Sequence, residues 1–124
     1  MEARKNITND IVTDYINGFY KPLTDDLAEL RRKSEEARVP IILKETESFL
    51  KTFLGITAPK RILEIGCAVG YSAMFFAELT GAEIFTVEKD HEMFLTAQEN
   101  IEKYGYSKLV KVLEGDGQEA AEAL

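Results

Sequence analysis

The sequence is poor in cysteine, in histidine and in base. Its 124 residues include one cysteine and one histidine, and 15 Lys and Arg stand against 22 Asp and Glu. Cys67 alone cannot form an internal disulfide, so a reducing, cytoplasmic setting is the natural expectation. The net charge of −7 leaves no basic footprint over the whole chain, and DNA is not an expected partner. A local basic patch stays compatible with that balance, because local fields can oppose the net charge. No N-terminal apolar run resembles a signal peptide and no stretch is long enough to span a bilayer, so no membrane association is expected. Internal repeats and low-complexity tracts are missing as well. The length suits one domain.

The first part of the chain reads as helices. Ile7, Ile11, Val12, Tyr15, Ile16 and Phe19 recur at helical spacing, and Asn17-Gly18 and Pro22 punctuate the end. A second helix is predicted from Thr24 to about Ala37. Thr24 caps its start, and Asp25 and Asp26 suit the positive end of its dipole. Leu27, Leu30 and Ala37 mark a thin apolar face, with Arg31-Arg32-Lys33 beyond it as a solvated run. Pro40 disfavours helix at Val39. A third helix follows from Lys44 to Leu54, with Phe49, Leu50, Phe53 and Leu54 as its buried stripe and Gly55 as the left-handed residue past its end. Glu35, Glu36, Glu45 and Glu47 read as surface charges.

At Pro59 the texture changes. Lys60–Ile65, Glu83–Glu88 and Leu109–Leu113 read as strands. Tyr71–Thr80 and His91 to about Tyr104 read as helices stopped by Gly81 and Gly105, and another helix starts at Gln118. In the second of these helices Phe94, Leu95, Ala97, Ile101 and Tyr104 are assigned to the core. Alternating strands and helices predict an α/β fold, a parallel sheet with right-handed crossovers. Residues 1–57 form a helical region and residues 58–124 the first half of a doubly wound domain. Three strands leave an edge and much apolar surface uncovered, so the chain is expected to be a fragment or to pair with something, a second copy included.

Chemistry concentrates in Leu63-Glu64-Ile65-Gly66-Cys67-Ala68-Val69-Gly70-Tyr71-Ser72. The stretch falls where the first strand meets its helix, and in open parallel sheets ligands bind outside the carboxyl ends of strands. Gly66 leaves the backbone open to a ligand. A dinucleotide site would show G-x-G-x-x-G around a pyrophosphate. Here the pattern is E-x-G-x-x-x-G, with Ala68 at the second glycine. A carboxylate entering the turn disfavours a phosphate but suits an ammonium or sulfonium, and S-adenosylmethionine carries both cations. Glu88, roughly 20 residues on, can accept from ribose hydroxyls. Asp116, inside Gly115-Asp116-Gly117, can accept from an adenine amino group, with the glycines leaving room for the ring.

Val39-Pro40-Ile41, ILEIGCAVGYSAMFFA, TVEKD and EGDGQEA together resemble the cation-dependent O-methyltransferase family. That family includes the catechol and caffeoyl-coenzyme A enzymes and the bacterial tRNA 5-hydroxyuridine methyltransferases, and the likeness is strongest to the last. It covers about residues 36 to 120. It implies a Rossmann-like class I methyltransferase fold with N-terminal helices and the first three parallel strands. It also implies that Glu64, Gly66, Tyr71 and Ser72 line the methionine end of the cofactor, Glu88 the ribose, and Asp116 with Gly117 the adenine. Val39 would pack over the cofactor near its entry. The N-terminal helices of bacterial members help substrate access and dimerisation, which implies a homo-oligomer. The family holds a divalent metal, magnesium in the expected case, by an aspartate after its fourth strand and a later Asp-Asn pair. No residue here matches those positions, so neither catalytic nor metal residues are assigned to this chain. Cys67 stands where bacterial relatives often have threonine.

The resemblance implies methyl transfer to a hydroxyl of a modified tRNA uridine or a small aromatic. The bacterial likeness favours tRNA and the net charge favours the small acceptor. Residues 1–124 alone are expected to bind cofactor weakly and not to turn over. Several roles stay open. Glu64 reads equally as a solvated strand-end charge, Tyr71 as a packing residue, Ser72 as a helix cap and Asp116 as a turn residue or cap. His91, near a helix start, receives no role, and Cys67 reads as a small buried residue. Two alternatives remain: an oxidoreductase binding an NAD-type dinucleotide, which the missing G-x-G disfavours, and a non-catalytic binding or assembly module.

Overall fold

The computed structural model describes residues 9–123. Ile7, placed in the first helix by its spacing, and Leu124 lie outside the described residues. Three helices come first: α1 (Asp10–Asn17), α2 (Asp25–Glu36) and α3 (Lys44–Thr57). Then β1 (Arg61–Ile65), α4 (Tyr71–Thr80), β2 (Glu83–Glu88), α5 (His91–Lys103), β3 (Val110–Glu114) and α6 (Gly117–Ala123) alternate. The strands form one parallel sheet in the order β1-β2-β3, the α/β architecture expected from the alternation.

Local chemistry accounts for most boundaries. Asn9 caps α1 through Oδ1 and the Val12 amide, Thr24 caps α2 through Oγ1 and the Leu27 amide, and Asp90 caps α5 through the Met93 amide. Each supplies an acceptor for an amide that the first helical turn leaves unpaired. Gly81 closes α4 in a left-handed conformation, φ 67°, where a side chain would be strained. Gly55 does not end α3. The helix runs through it to Thr57, and Ala58 takes the left-handed position at φ 44°. Pro59 follows at once, and proline disfavours helix in the residue before it.

Strand alternation divides the sheet into two faces. Ile84, Thr86 and Val110 are buried on one face, beneath α4 and α5, with α2 and α3 packed on α4. Leu27, Leu30, Met74 and Phe75 complete this core. On the other face Leu63, Ile65 and Leu113 are exposed, with α6 beside β2 and Gly117 close against Ile65.

The helical faces differ from the sequence reading. Ile11, Tyr15 and Phe19 of the first apolar face are exposed, as are Phe49 and Phe53 of α3 and Leu95 of α5. α1 packs chiefly on α3, so it has little neighbouring surface to cover its stripe. Phe49 and Phe53 stack on one another at 5.9 Å between centroids instead of entering the core. Arg31 and Glu47, read as solvated, are 5% and 0% exposed. Helical phase explains both. Arg31 follows Leu27 by four residues and Glu47 precedes Leu50 by three, so each shares its helix's inward face. Arg32 and Lys33 point outward and pair with Glu36 and Glu29.

Candidate functional site

The turn from β1 into α4 gathers the site. Its backbone is left-handed at three places in five residues: Gly66 (φ 85°), Ala68 (φ 44°) and Gly70 (φ 87°). Gly70 is favoured by its left-handed conformation, which disfavours a side chain; a Cβ there would only reach ordinary contact, 3.5 Å from Ala97 and Ile101 of α5. A Cβ on Gly66 would meet nothing within 4 Å among the described residues, so the turn presents open backbone there.

The curled turn aims successive amides at one point, the nest arrangement that binds anions. Glu88 fills it. Its Oε2 accepts from the Cys67 amide at 3.1 Å and the Ala68 amide at 3.0 Å, and its Oε1 accepts from the Asp90 amide at 3.0 Å. The turn therefore already carries its anion, a carboxylate from the tip of the neighbouring strand. A carboxylate has about four lone-pair sites, so Glu88 retains capacity for a further donor.

Glu64 lies on the covered face of β1. Ser72 donates to its Oε2 at 2.5 Å and Thr86 to its Oε1 at 2.7 Å. Burial, foremost, holds the Glu64 carboxyl above its ordinary range, and the Glu88 charge adds to this. The Ser72 and Thr86 bonds pull the other way. Ser72 thus uses its hydroxyl to orient a carboxylate, and Gly70 occupies the cap position of α4 without a side-chain bond. Cys67 is buried, and burial pushes its thiol up to about 12, as suits a small packing residue rather than a nucleophile.

Asp116 and Gly117 reach the same end of the sheet, since the Gly115 amide donates to the Glu88 carbonyl at 3.0 Å. Asp116 Oδ1 accepts from the Gln118 and Glu119 amides, a helix-capping use. Gly117 leaves room for Ile65, into which a Cβ would run. His91, left without a role by sequence, contacts Glu114 Oε1 through Nδ1 at 2.7 Å on the surface.

A cavity of about 280 Å³ opens beside the turn. Gly66, Cys67, Ala68, Tyr71 and Ser72 form one wall and Pro40, Ile41 and Ile42 the other. Whole ligand pockets span roughly 300–1,000 Å³, so this cleft suits part of a nucleoside-sized ligand. Val39 sits behind that second wall against the core. Tyr71 borders the cleft, but its hydroxyl donates to Glu47 Oε2 at 2.7 Å. A larger hollow of about 420 Å³ along α5 and β3 includes Gln98, Glu102 and Lys111 and is lined by no residue of the glycine turn. Sequence reasoning missed Thr86, the Pro40–Ile42 wall and the Arg31–Glu47 pair. Only helical phase pointed to the pair, and Thr86 offered no signal beyond its place opposite Glu64 in the register.

Among the described residues no group of three or more His, Cys, Asp or Glu side chains could hold a metal ion, so no step is derived through one. No helix among them is long and apolar enough to cross a membrane.

Known proteins resemble this chain in sequence and in fold. The family model for protein-L-isoaspartate (D-aspartate) O-methyltransferase matches residues 37–124, more than half of the chain. The chain belongs to that family. Its protein-L-isoaspartate O-methyltransferase relatives include those of Thermococcus onnurineus, 41% identical over 56 residues (45% of this chain, 26% of the relative), and Methanococcoides burtonii, 44% over 66 residues (52% and 32%). A provisionally named caffeoyl-CoA O-methyltransferase from Staphylococcus aureus superposes at a TM-score of 0.80 with 30% identity, over 86% of this chain and 52% of its own. A methyltransferase from Podospora anserina, solved with S-adenosylhomocysteine (SAH) bound, gives 0.83 and 30%, over 100% and 56%. A solved protein-L-isoaspartate O-methyltransferase gives 0.52 and covers 58% of this chain. This chain thus spans little more than half the length of the two fuller structural matches. The fold is Rossmann-like, and the family is one of S-adenosylmethionine-dependent methyltransferases. The cation-dependent, tRNA-directed branch that the sequence resembles is a finer assignment than these matches make.

Proposed function

We propose that the chain forms the cofactor-binding portion of an S-adenosylmethionine-dependent O-methyltransferase. One observation carries this reading: Glu88 occupies the amide nest that a dinucleotide-binding turn would offer to phosphate. A pyrophosphate would have to displace a carboxylate held by three backbone bonds, whereas a phosphate-free cation has no such conflict. This weighs against the NAD-type alternative. Glu64, two residues before Gly66 and bonded to Ser72 of the cleft wall, favours a cationic amino or sulfonium group, while Glu88 keeps acceptor capacity for ribose hydroxyls. Bound cofactor would supply a methyl group made electrophilic by its cationic sulfur. The residues here bind and orient it, and the Pro40–Ile42 wall keeps water from one side. Asp116, Gly117 and Val39 stay in the proposal as its adenine and entry contacts.

For the acceptor we favour an oxygen on a small aromatic or a modified tRNA uridine. The support is that the caffeoyl-CoA-type structure matches 86% of the chain, against 58% for the isoaspartate enzyme. An isoaspartyl carboxylate is the second reading, favoured by the family model and the sequence relatives. A homo-oligomer also remains part of the proposal, because the exposed apolar residues of α1 and α3 make a patch of the kind that self-associates. A strictly monomeric mass in light scattering would refute that part.

Calorimetric titration tests the cofactor reading. SAH should bind measurably and NAD should not, and the reverse order would overturn it. Tritiated methyl transfer offered in parallel to a catechol, bulk tRNA and an isoaspartyl peptide tests the acceptor: transfer to one of them would name it and would overturn the expectation that residues 1–124 do not turn over.

A further inference from the structure

The wall formed by Pro40, Ile41 and Ile42 belongs to no helix or strand, so no ladder of backbone bonds sets its distance from the glycine turn. One side chain does. Arg31 Nη2 donates to the Ile42 carbonyl at 2.9 Å and to Glu47 Oε2 at 2.6 Å, and Nη1 donates to Glu35 at 3.1 Å. Glu47 Oε2 also accepts from Tyr71, the first residue of α4, and Oε1 accepts from Tyr20 at 3.0 Å. The guanidinium lies 4.8 Å from the Tyr71 ring centroid and 5.4 Å from that of Tyr20. Helices α2 and α3, the cavity wall and the start of α4 are thereby tied to one buried cation.

A buried ion pair is a poor source of net stability, since removing both charges from water costs about as much as their attraction returns. What the pair supplies is geometry. A planar guanidinium can hold a carboxylate and a carbonyl at fixed angles together, which a lysine ammonium cannot reproduce.

We infer that Arg31 is a positioning residue: through Glu47 and Tyr71 it holds the Pro40–Ile42 wall in register with the glycine turn, so that the cofactor cleft is shaped before ligand arrives. The inference rests on the cofactor reading above. A preorganised wall spares the ligand the cost of ordering it. Burial by itself would lower the Arg31 pKa, but the bonds to Glu47, Tyr71 and Glu35 outweigh it, the net shift is upward, and Arg31 stays charged.

The test compares the full chain with Arg31→Lys and with Arg32→Lys, a surface control. Amide hydrogen exchange reads the Val39 and Glu47 amides, which flank the wall and bond the Ser34 and Leu43 carbonyls, against Ile84–Val87 of β2, and calorimetry reads SAH affinity. Arg31→Lys should speed exchange at the Val39 and Glu47 amides about tenfold, as loss of one bond to a charged group implies, with little change in β2. It should weaken SAH binding about tenfold, and Arg32→Lys should do neither. If Arg31→Lys does not fold, Tyr20→Phe, which removes one hydrogen bond from Glu47, should move both readouts the same way by about threefold. Wall and β2 amides speeding together would overturn the inference, and so would a loosened wall with unchanged affinity. SAH failing to bind wild type would instead sink the cofactor reading, and the exchange comparison would still judge the clamp.

Discussion

Replacing Glu88 by glutamine keeps the side chain's shape and removes one charge and one acceptor. Three backbone amides depend on that carboxylate. With its carbonyl oxygen turned to the Cys67 and Ala68 amides, the glutamine keeps two bonds as neutral ones and abandons the Asp90 amide, which is exposed and can use water. A bond to a charged acceptor contributes about 1.5–3 kcal/mol and a neutral one about 0.5–1.5. Two such downgrades cost about 2 kcal/mol. The urea midpoint should fall accordingly, with an unchanged slope showing that stability alone has moved. SAH affinity should fall about 10- to 100-fold, because the proposed ribose acceptor loses its charge. Unchanged midpoint and affinity would refute the account of the turn. A lowered midpoint with full affinity would leave the turn intact and remove Glu88 from the cofactor site.

Other outcomes follow from the same geometry. Glu64 is held above its ordinary value of 4.5, so the folded chain binds that proton more tightly than the unfolded chain does. Its contribution to stability therefore declines as pH rises from that value through the folded one and then levels off. Urea midpoints against pH should show the step, and Glu64→Gln should flatten it. Gly66→Ala places a Cβ on a left-handed backbone at the open side of the turn, costing about 1–2 kcal/mol. SAH affinity should fall further than that loss predicts, and calorimetry beside thermal melts would expose a matching loss instead. Gly117→Ala drives a Cβ into Ile65 and should destabilise by about 1–3 kcal/mol. Adding Ile65→Ala should recover part of that loss, and a double-mutant cycle with no coupling would contradict the contact.

The second half of the chain was more legible than the first. α4 and β2 match the sequence reading to the residue; positive-φ Gly70 and Gly81 bracket α4, and short-range geometry decides where that helix stops. β1 and β3 differ by about one residue at their ends, within ordinary boundary scatter. The helical region was read less well. Its period was visible, but α1 and α3 carry more apolar residues than their neighbours can cover, and period alone does not say which side meets a partner.

Local pattern by itself determined the alternation of strands and helices, the cap at Thr24, the open turn at Gly66 and the acids at successive strand tips. Each is written within a few residues of where it acts. Only the tertiary structure decided that Arg31 is buried while Arg32 is not, that Glu47 is its partner, and that Glu88 neutralises the amides of the preceding turn. A charge enters the interior only when a partner meets it there. The Arg31, Glu47 and Tyr71 that satisfy one another lie on three different helices, farther apart than any window of sequence in which a pattern is read.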